Sequence, residues 1–155
     1  MKEIYFKQNP NDPNPLRAFT KRKVRFDEID PLNIMWHGHY ASFFEEGRLS
    51  LGAKYSIGYM DFYKAGVIIP LKKFHIDYIL PLEFDKVYEI ETILHWNEAA
   101  RLDFSYNIFS NDKLTTTGYS VHLMLDKNKN ILVSKPAFFE DFCLKWKEGV
   151  ICEKY

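Results

Sequence analysis

The chain has 155 residues, enough for one domain with a substantial core and too few for two ordinary domains. Its 21 basic side chains equal its 21 acidic ones, whereas nucleic-acid-binding proteins usually carry a basic excess, so no nucleic-acid partner is expected. No apolar run approaches the ~18–20 residues of a membrane-spanning helix, and the first 20 residues are too polar for a signal peptide.

The N-terminal segment is predicted to be an arm. Residues 7–15 read K-Q-N-P-N-D-P-N-P, and each proline favours an extended conformation in the residue before it. We therefore expect residues 1–20 to form an extended, exposed arm and residues 21–155 to form one domain. The two cysteines, Cys143 and Cys152, have neither metal-knuckle nor disulfide-framework spacing, which favours reduced thiols in a cytoplasmic protein.

The segment from Arg25 to Arg48 carries the most information. A strand-like run at residues 24–26 leads into an acidic turn that contains Pro31 and Asn33, and a helix is predicted to follow. The apolar and small side chains of this helix recur at the spacing of one helical face. That face consists of Tyr40, Phe43, Phe44, Gly47, Leu51 and Tyr55.

The other face of this helix is polar. Glu45 and Arg48 lie there three residues apart, and an ion pair between them is expected. Gly47 and Gly52 each cost the helix about 1 kcal/mol relative to alanine, which indicates that a strand approaches the helix closely.

The start of the helix is suited to binding an anion. His37, Gly38 and His39 lie where the first backbone N–H groups of a helix lack intrahelical acceptors, and the helix dipole adds positive charge there. A carboxylate placed beside such a site could activate water or attack a carbonyl group itself. The residues alone do not choose between the three carboxylates that precede it, which are Asp27, Glu28 and Asp30.

The remainder of the chain is predicted to be mostly sheet. A short second helix is expected at residues 59–65, and from Val67 the apolar period changes to two, as in antiparallel strands with one apolar face. His75, His95 and His122 fall on the polar phases of three strands and are expected at the surface or at an interface. The four strand patterns cover residues 74–80, 88–96, 102–108 and 119–125, the last with Tyr119, Val121 and Leu123 on its apolar face.

The order of these elements predicts an α+β fold. One strand, one long helix and four strands joined by short turns would form an antiparallel five-stranded sheet wrapped around one long central helix. Residues 136–146 begin with a proline, which is favoured in the first turn of a helix, and predict a C-terminal helix that closes the domain.

Two patches of the chain match the motif of a known family, which runs roughly D-x-x-G-h-h-[YW]-[HYFP]-x-N-Y-x-x-[FW]-h-[ED]-x-[AG]-R, with h an apolar residue. The first patch consists of Asp30, Pro31, Leu32, Asn33, Ile34, Met35, Trp36, His37, Gly38, His39, Tyr40, Phe43, Phe44, Glu45, Gly47 and Arg48. The second reads F-H-I-D-Y-I-L-P-L-E-F-D at residues 74–85. Over roughly residues 22–140 the chain thus resembles the hotdog-fold acyl-CoA thioesterases of the 4-hydroxybenzoyl-CoA thioesterase family, including its YbgC-like branch.

This resemblance implies an enzyme that hydrolyses an acyl-CoA or acyl-carrier-protein thioester without a cofactor. It selects Asp30 as the catalytic carboxylate, with the choice between general base and nucleophile open, and gives His37 an auxiliary role in orienting water or Asp30. The backbone amides of His37, Gly38, His39 and Tyr40 would polarise the thioester carbonyl.

Three side chains near the helix start are expected to contact the substrate: Asn33, Trp36 and His39. Asn33 replaces the usual glycine of the family, and asparagine tolerates the left-handed conformation better than most residues. His39 replaces the usual asparagine, and an imidazole can also donate and accept hydrogen bonds. No metal is expected, because the rings of His37 and His39 would diverge at a helix start.

The family also implies a homodimer or homotetramer whose active sites are built from two chains. An open strand edge and an exposed apolar flank of the helix favour such pairing on physical grounds. The competing interpretations are an acyl-CoA-binding module that has lost turnover and, more distantly, a hotdog dehydratase. Candidate contacts to the CoA phosphates are Lys72, Lys73 and Lys113.

Overall fold

The computed structural model describes residues 5–153. Its elements are β1 (Leu16–Lys23), α1 (Tyr40–Tyr55), α2 (Tyr59–Lys64), β2 (Val67–Ile68), β3 (Leu71–Tyr78), β4 (Val87–His95), β5 (Arg101–Ser110), β6 (Lys113–Leu123), β7 (Leu125–Asp126) and α3 (Ala137–Lys147). Two single 3-10 turns, Phe26–Glu28 and His37–His39, lie between β1 and α1. An antiparallel five-stranded sheet has the order β1-β4-β5-β6-β3, and β2 pairs with β7 in a small second sheet.

The long helix α1 packs against this sheet through its apolar face. Phe43 and Phe44 are fully buried there, and the Phe44 ring stacks on Tyr106 of β5 with ring centroids 4.2 Å apart. Burying one such side chain contributes about 1.5–3 kcal/mol. The expected α+β hotdog architecture, with one sheet around one long helix, is confirmed.

Gly47 lets the helix approach the sheet. A Cβ atom at this position would lie 2.1 Å from Thr92 Oγ1 and 3.1 Å from a methyl group of Ile90, both on β4. The predicted close contact with a strand is therefore confirmed at Gly47. Gly52 faces a different neighbour, since a Cβ atom there would lie 2.7 Å from the Cα of Gly58 in the loop before α2.

The shorter elements also agree with the sequence. α2 and α3 each begin and end within one residue of their predicted bounds. The turn between β5 and β6 contains Asn111 and Asp112 at φ angles of 46° and 64°, the left-handed conformation that these two residue types tolerate. Within residues 5–153 no helix is long and apolar enough to cross a membrane.

The first strand lies earlier in the chain than predicted. β1 covers Leu16–Lys23 and pairs antiparallel with β4, so that the strand-like run at 24–26 is not part of it and the predicted arm ends before residue 16. The alternation of β1 is masked because Thr20 and Arg22 occupy its more buried phase together with Leu16 and Ala18. The arm itself is not wholly exposed, since Phe6 is buried with its ring 5.0 Å from that of His95.

The inner face of β6 is the opposite of the predicted one. A Cβ atom on Gly118 would lie 2.5 Å from the Phe44 ring, so the phase that contains Gly118, Ser120 and His122 faces the helix. His122 is only 2% exposed, and its predicted surface location is wrong. These polar side chains are tolerated inside because they hydrogen-bond to one another and to Tyr106.

Candidate active site

The acidic turn before α1 is fixed by its backbone. Isolated β-bridges tie the turn to itself and to the loop before β4, and Met35 N donates to Leu82 O at 2.7 Å. Asn33 has a φ angle of 61°, the left-handed conformation that the sequence predicted for it. These contacts hold the backbone on both sides of Asp30.

Asp30 lies half-buried in this turn. Its Oδ1 accepts a hydrogen bond from Leu32 N at 2.8 Å, which makes it the first residue of an Asx turn. No protein group in the described residues donates a hydrogen bond to its Oδ2. Burial raises the pKa of the Tyr40 phenol at the first residue of α1, and the negative charge of Asp30 adds a smaller contribution to that shift.

The two other carboxylates of the segment have different surroundings. Asp27 is exposed, and its carboxylate accepts a hydrogen bond from Arg25 Nε at 3.1 Å. Glu28 is only 1% exposed, and it accepts hydrogen bonds from Arg22 Nη2 at 2.5 Å and from the Arg25 backbone N at 3.0 Å. Glu28 is therefore one partner of a buried ion pair and not a free carboxylate.

The amides at the start of α1 are partly free. His39 N donates to Trp36 O at 3.0 Å, so this amide is already occupied. The amides of His37 and Gly38 have no acceptor within residues 5–153. Tyr78 Oη of β3 donates to His37 O at 3.0 Å and fixes the orientation of this turn.

Trp36 forms one wall beside these amides. Its ring lies on Gly38 so closely that a Cβ atom there would be 2.0 Å from a ring carbon, so a larger residue at that position would displace the ring. The ring centroid of Trp36 lies 4.9 Å from that of His37 and 5.4 Å from that of His39. The rings of Trp36 and His37 are thus in contact, with their planes tilted by 49°.

The four side chains expected to contact the substrate or to orient water are at least partly open to solvent in the single chain. Asn33, Trp36 and His37 are all exposed, and His39 is half-buried. No hydrogen bond or ion pair joins Asp30 to His37 in the part of the chain that the structure describes. That part also contains no group of three or more His, Cys, Asp or Glu side chains placed to hold a metal ion.

A comparison with protein-family models identifies the family. The model described as the thioesterase-like superfamily matches residues 24–146. This range begins just after β1 and includes the acidic turn, α1, strands β3 to β6 of the large sheet and nearly all of α3. The chain belongs to the thioesterase-like superfamily. Membership confirms the sequence-based assignment to the hotdog thioesterases, a family of thioester hydrolases.

Individual thioesterase-like relatives support this placement. A putative esterase of Aquifex aeolicus is 27% identical over 115 residues, covering 74% of this chain and 90% of the relative. The putative acyl-CoA thioesterase YneP of Bacillus subtilis is 27% identical over 106 residues, covering 68% of this chain and 77% of the relative. The crystal structure of a DHNA-CoA thioesterase from Staphylococcus aureus superposes with a TM-score of 0.76 at 23% identity, covering 90% and 99% of the two chains.

This thioesterase-like chain also contains a polar cluster that the sequence did not predict. The ion pair expected between Glu45 and Arg48 is wrong, because Arg48 turns away from Glu45 and donates to the hydroxyl groups of Tyr59 and Tyr106. His122 lies in the same cluster. The only signal in the sequence was an arginine on the helix without a carboxylate on the buried side.

Proposed function

We propose that this protein hydrolyses an acyl-CoA thioester to a free acid and CoA at the N-terminal end of α1. One observation supports the proposal most strongly. A carboxylate oxygen of Asp30 and the amides of His37 and Gly38 have no partner among residues 5–153 and lie in one short segment. A thioester hydrolase needs both a carboxylate and a pair of free donors.

The two free amides would stabilise the transition state. The N–H groups of His37 and Gly38 would donate to the carbonyl oxygen as negative charge develops on it, and the positive end of the α1 dipole adds to this effect. Removal of one such donor typically costs about 10²–10³ in rate. Because the amide of His39 donates to Trp36 O, the role proposed for His39 is one of its side chain.

Asp30 would activate the attack on the carbonyl carbon. As a general base it would take a proton from a water molecule while the water oxygen bonds to the carbon. The C–S bond then breaks, the sulfur leaves with the electron pair, and the proton held by Asp30 passes to it. As a nucleophile Asp30 would itself bond to the carbon and expel the thiolate, and water would then hydrolyse the anhydride and restore the carboxylate.

The exposed side chains around this point are proposed to contact the substrate. His37 would orient the attacking water, a secondary role because no hydrogen bond joins it to Asp30 within the described residues. Asn33, Trp36 and His39 would contact the acyl-CoA next to the reacting group. The exposed amines of Lys72 and Lys113 remain candidates for the CoA phosphates, whereas Lys73 Nζ donates to Tyr5 Oη at 2.8 Å.

A homodimer is proposed as the working unit, either alone or as half of a homotetramer. β3 is an edge strand of the five-stranded sheet, and Leu71, Tyr78 and Ile79 at its two ends are each 51% exposed. Unpaired strand edges with apolar side chains favour pairing with another chain. Pairing along β3 would also cover the open site beside Tyr78. The free thiols of Cys143 and Cys152 suit a cytoplasmic protein.

Free-thiol release from a panel of acyl-CoAs and acyl-carrier-protein thioesters tests the proposal. We expect turnover of at least one acyl-CoA, with a matching thioether analogue bound at a similar concentration but not cleaved. Binding of the thioether without release of thiol from any member of the panel would instead identify a non-catalytic acyl-CoA-binding module. Turnover of carrier-protein thioesters alone would correct the carrier.

A further inference from the structure

The far half of α1 carries a second polar site, centred on Arg48. Arg48 Nε donates to Tyr59 Oη and Arg48 Nη1 donates to Tyr106 Oη, each at 2.9 Å. Burial would lower the pKa of Arg48, but its interactions with Tyr106 and Tyr59 outweigh that effect and raise it, so the guanidinium is charged. No carboxylate pairs with it in the described part of the chain, and a partly buried charge without a counter-ion is costly.

A chain of hydrogen bonds leads from Arg48 into the sheet. Tyr106 Oη lies 2.5 Å from Ser120 Oγ, and Ser120 Oγ lies 3.0 Å from His122 Nε2. Burial and the positive charge of Arg48 lower the pKa of His122 to about 4, while the Ile69 carbonyl opposes this shift. The imidazole is therefore neutral at pH 7 and carries one proton.

The hydrogen bond from Arg48 to Tyr106 decides which ring nitrogen of His122 carries this proton, because a guanidinium can only donate. If Tyr106 accepts from Arg48 and donates to Ser120, then Ser120 donates to His122 Nε2 and the ring proton lies on Nδ1. The reverse order would leave the hydroxyl proton of the fully buried Tyr106 without an acceptor. In the favoured order only His122 Nδ1 lacks a hydrogen bond of normal geometry among the described residues, and the Ile69 carbonyl interacts with the ring only weakly.

These groups line one cleft. The cleft is partly open to solvent and has room for about one water-sized group, so a ligand would have to widen it, and its walls include Arg48, Tyr59 and His122. Arg48 uses two of its five N–H groups on phenols, and the Tyr59 hydroxyl accepts from Arg48 and keeps its own proton to donate. His122 Nδ1–H makes no hydrogen bond of normal geometry within residues 5–153. The rest of the wall is apolar and includes Ile57, Ile69 and Leu102.

We propose that this cleft is a binding site for a carboxylate group carried on an apolar body. Donor groups on three side chains and a positive charge that no carboxylate of residues 5–153 pairs with favour an anion, although Asp61 caps the backbone amide of Gly58 in the cleft wall. The planar fork of a guanidinium matches a carboxylate. The apolar wall would take the hydrocarbon part of the same ligand.

Arg22 shows how the same chain treats an arginine with a carboxylate partner. Its side chain is 12% exposed and bonds to Glu28 at 2.5 Å, and Glu46 lies 3.4 Å away. Arg22 of β1 packs against α1 and Arg48 belongs to α1, yet among residues 5–153 only Arg22 has a carboxylate partner. A bound ligand would remove this difference, because its carboxylate would balance the charge of Arg48 as Glu28 balances that of Arg22.

The carboxylate could belong to a free acid or to the far end of the acyl group. The second source rests on the proposed thioesterase function and on the proposed dimer. Phe43 and Phe44 fill the core between the start of α1 and Arg48, so an acyl group cannot run through its own subunit. Two β3 strands could instead pair antiparallel about a two-fold axis. The Leu71 end of β3, which pairs with His122 of β6, would then lie next to the Tyr78 end of the partner's β3.

Calorimetric titration of the intact protein at pH 7 with butyrate, and with butyramide as its neutral match, tests the site. We expect butyrate to bind at least tenfold more tightly than butyramide. Arg48→Gln should remove this preference, whereas Arg25→Gln, the same change at an exposed arginine, should keep it. Equal binding of the two compounds, no binding of butyrate, or an unchanged preference in Arg48→Gln would overturn the proposal.

A second measurement does not depend on the folding of the Arg48 variant. In ¹⁵N-histidine spectra of the wild-type protein, butyrate should shift the Nδ1 resonance of His122 and leave His75 unchanged. Tyr59→Phe, which removes one donor and keeps the ring, should weaken butyrate binding severalfold. A His122 resonance that butyrate does not move would refute the assigned donors.

Hydrolysis of hexanoyl-CoA and adipoyl-CoA separates the two sources. A preference of tenfold or more in kcat/KM for adipoyl-CoA that Arg48→Gln abolishes would assign the carboxylate to the acyl group. Butyrate binding without such a preference would assign the site to a free acid. If neither thioester nor any other acyl-CoA is cleaved, the proposed function fails, and the titrations still decide the carboxylate site.

Discussion

Arg22 of β1 packs on the first turns of α1, Arg48 lies in the middle of α1, and the two differ in what balances their charge. Arg22 donates to Glu28 and to Ser42, and its guanidinium lies 4.3 Å above the Phe43 ring. Arg48 donates only to phenols within the described residues. The charge of Arg22 is therefore balanced within the chain, and its ion pair supports the segment that leads to the candidate active site. Arg48 instead keeps donor groups that are free to bind a ligand.

The largest stability effect should come from removing the counter-ion of Arg22. Glu28→Gln would remove the buried counter-ion of Arg22 and leave it only the more exposed Glu46, 3.4 Å away, and loss of one partner of a buried ion pair typically costs about 3–5 kcal/mol. Urea unfolding measures the free energy of unfolding directly. The matched control is Asp27→Asn, an exposed partner of Arg25, for which we expect a change below about 0.5 kcal/mol. Equal effects of the two variants would contradict the distinction between the two carboxylates.

The pH dependence of the stability should report on His122, which lies in the Arg48 cluster. The pKa of His122 is lowered from 6.5 to about 4 in the folded protein. Below pH 6.5 the unfolded chain therefore takes up a proton that the folded chain does not, so stability falls as the pH decreases from 6.5 to 4. This contribution amounts to at most about 3 kcal/mol.

A pair of variants isolates this effect. His122→Gln should flatten the stability profile between pH 6.5 and 4, measured as the melting temperature across buffers. His95, whose pKa is also lowered to about 4 by burial, contributes in the same window, so His95→Gln serves as the reference for a second buried ring. An unchanged slope in both variants would contradict the assigned titrations.

Gly47, which directly precedes Arg48, sets the distance between α1 and the sheet. Gly47→Ala would place a methyl group 2.1 Å from Thr92 Oγ1, and overpacking of this kind costs about 1–3 kcal/mol. Thr92→Ala in the same chain removes the clashing hydroxyl and should recover part of the loss. Additive losses in the double variant would show that another contact limits the approach.

The smallest effect is expected at His37. His37→Phe keeps the backbone amide and an aromatic ring beside Trp36, so we expect kcat to fall by less than about tenfold, since general acid–base groups contribute about 10²–10⁴ when they act directly. Steady-state kinetics measure the change. A loss as large as that caused by removing the Asp30 carboxylate would transfer the central role to the imidazole.

The sequence predicted what depends on near neighbours in the chain. The stripe of α1 and the left-handed Asn33 follow from local spacing and backbone sterics, and both were found. β1 was misplaced because two inner positions of this strand are polar, Thr20 and Arg22. No local pattern reports that a polar side chain has found a partner on a distant strand.

The Arg48 cluster was missed for the same reason. Arg48 contacts Tyr59 and Tyr106, which are 11 and 58 residues away along the chain. Ser120 and His122 join the cluster only because β6 presents its polar phase to the helix. A buried polar network across four elements is a property of the tertiary fold and leaves no periodic signal in one sequence.

The central claim is that the carboxylate of Asp30 performs thioester hydrolysis at the start of α1. The most direct measurement is the rate of thiol release by Asp30→Asn on the best acyl-CoA of the panel, with Asp27→Asn as the control. We expect Asp30→Asn to bind the thioether analogue as the wild type does and to lose at least ~10²-fold in kcat, while Asp27→Asn stays near the wild-type rate. Retention of more than about a tenth of the wild-type rate by Asp30→Asn would contradict the account.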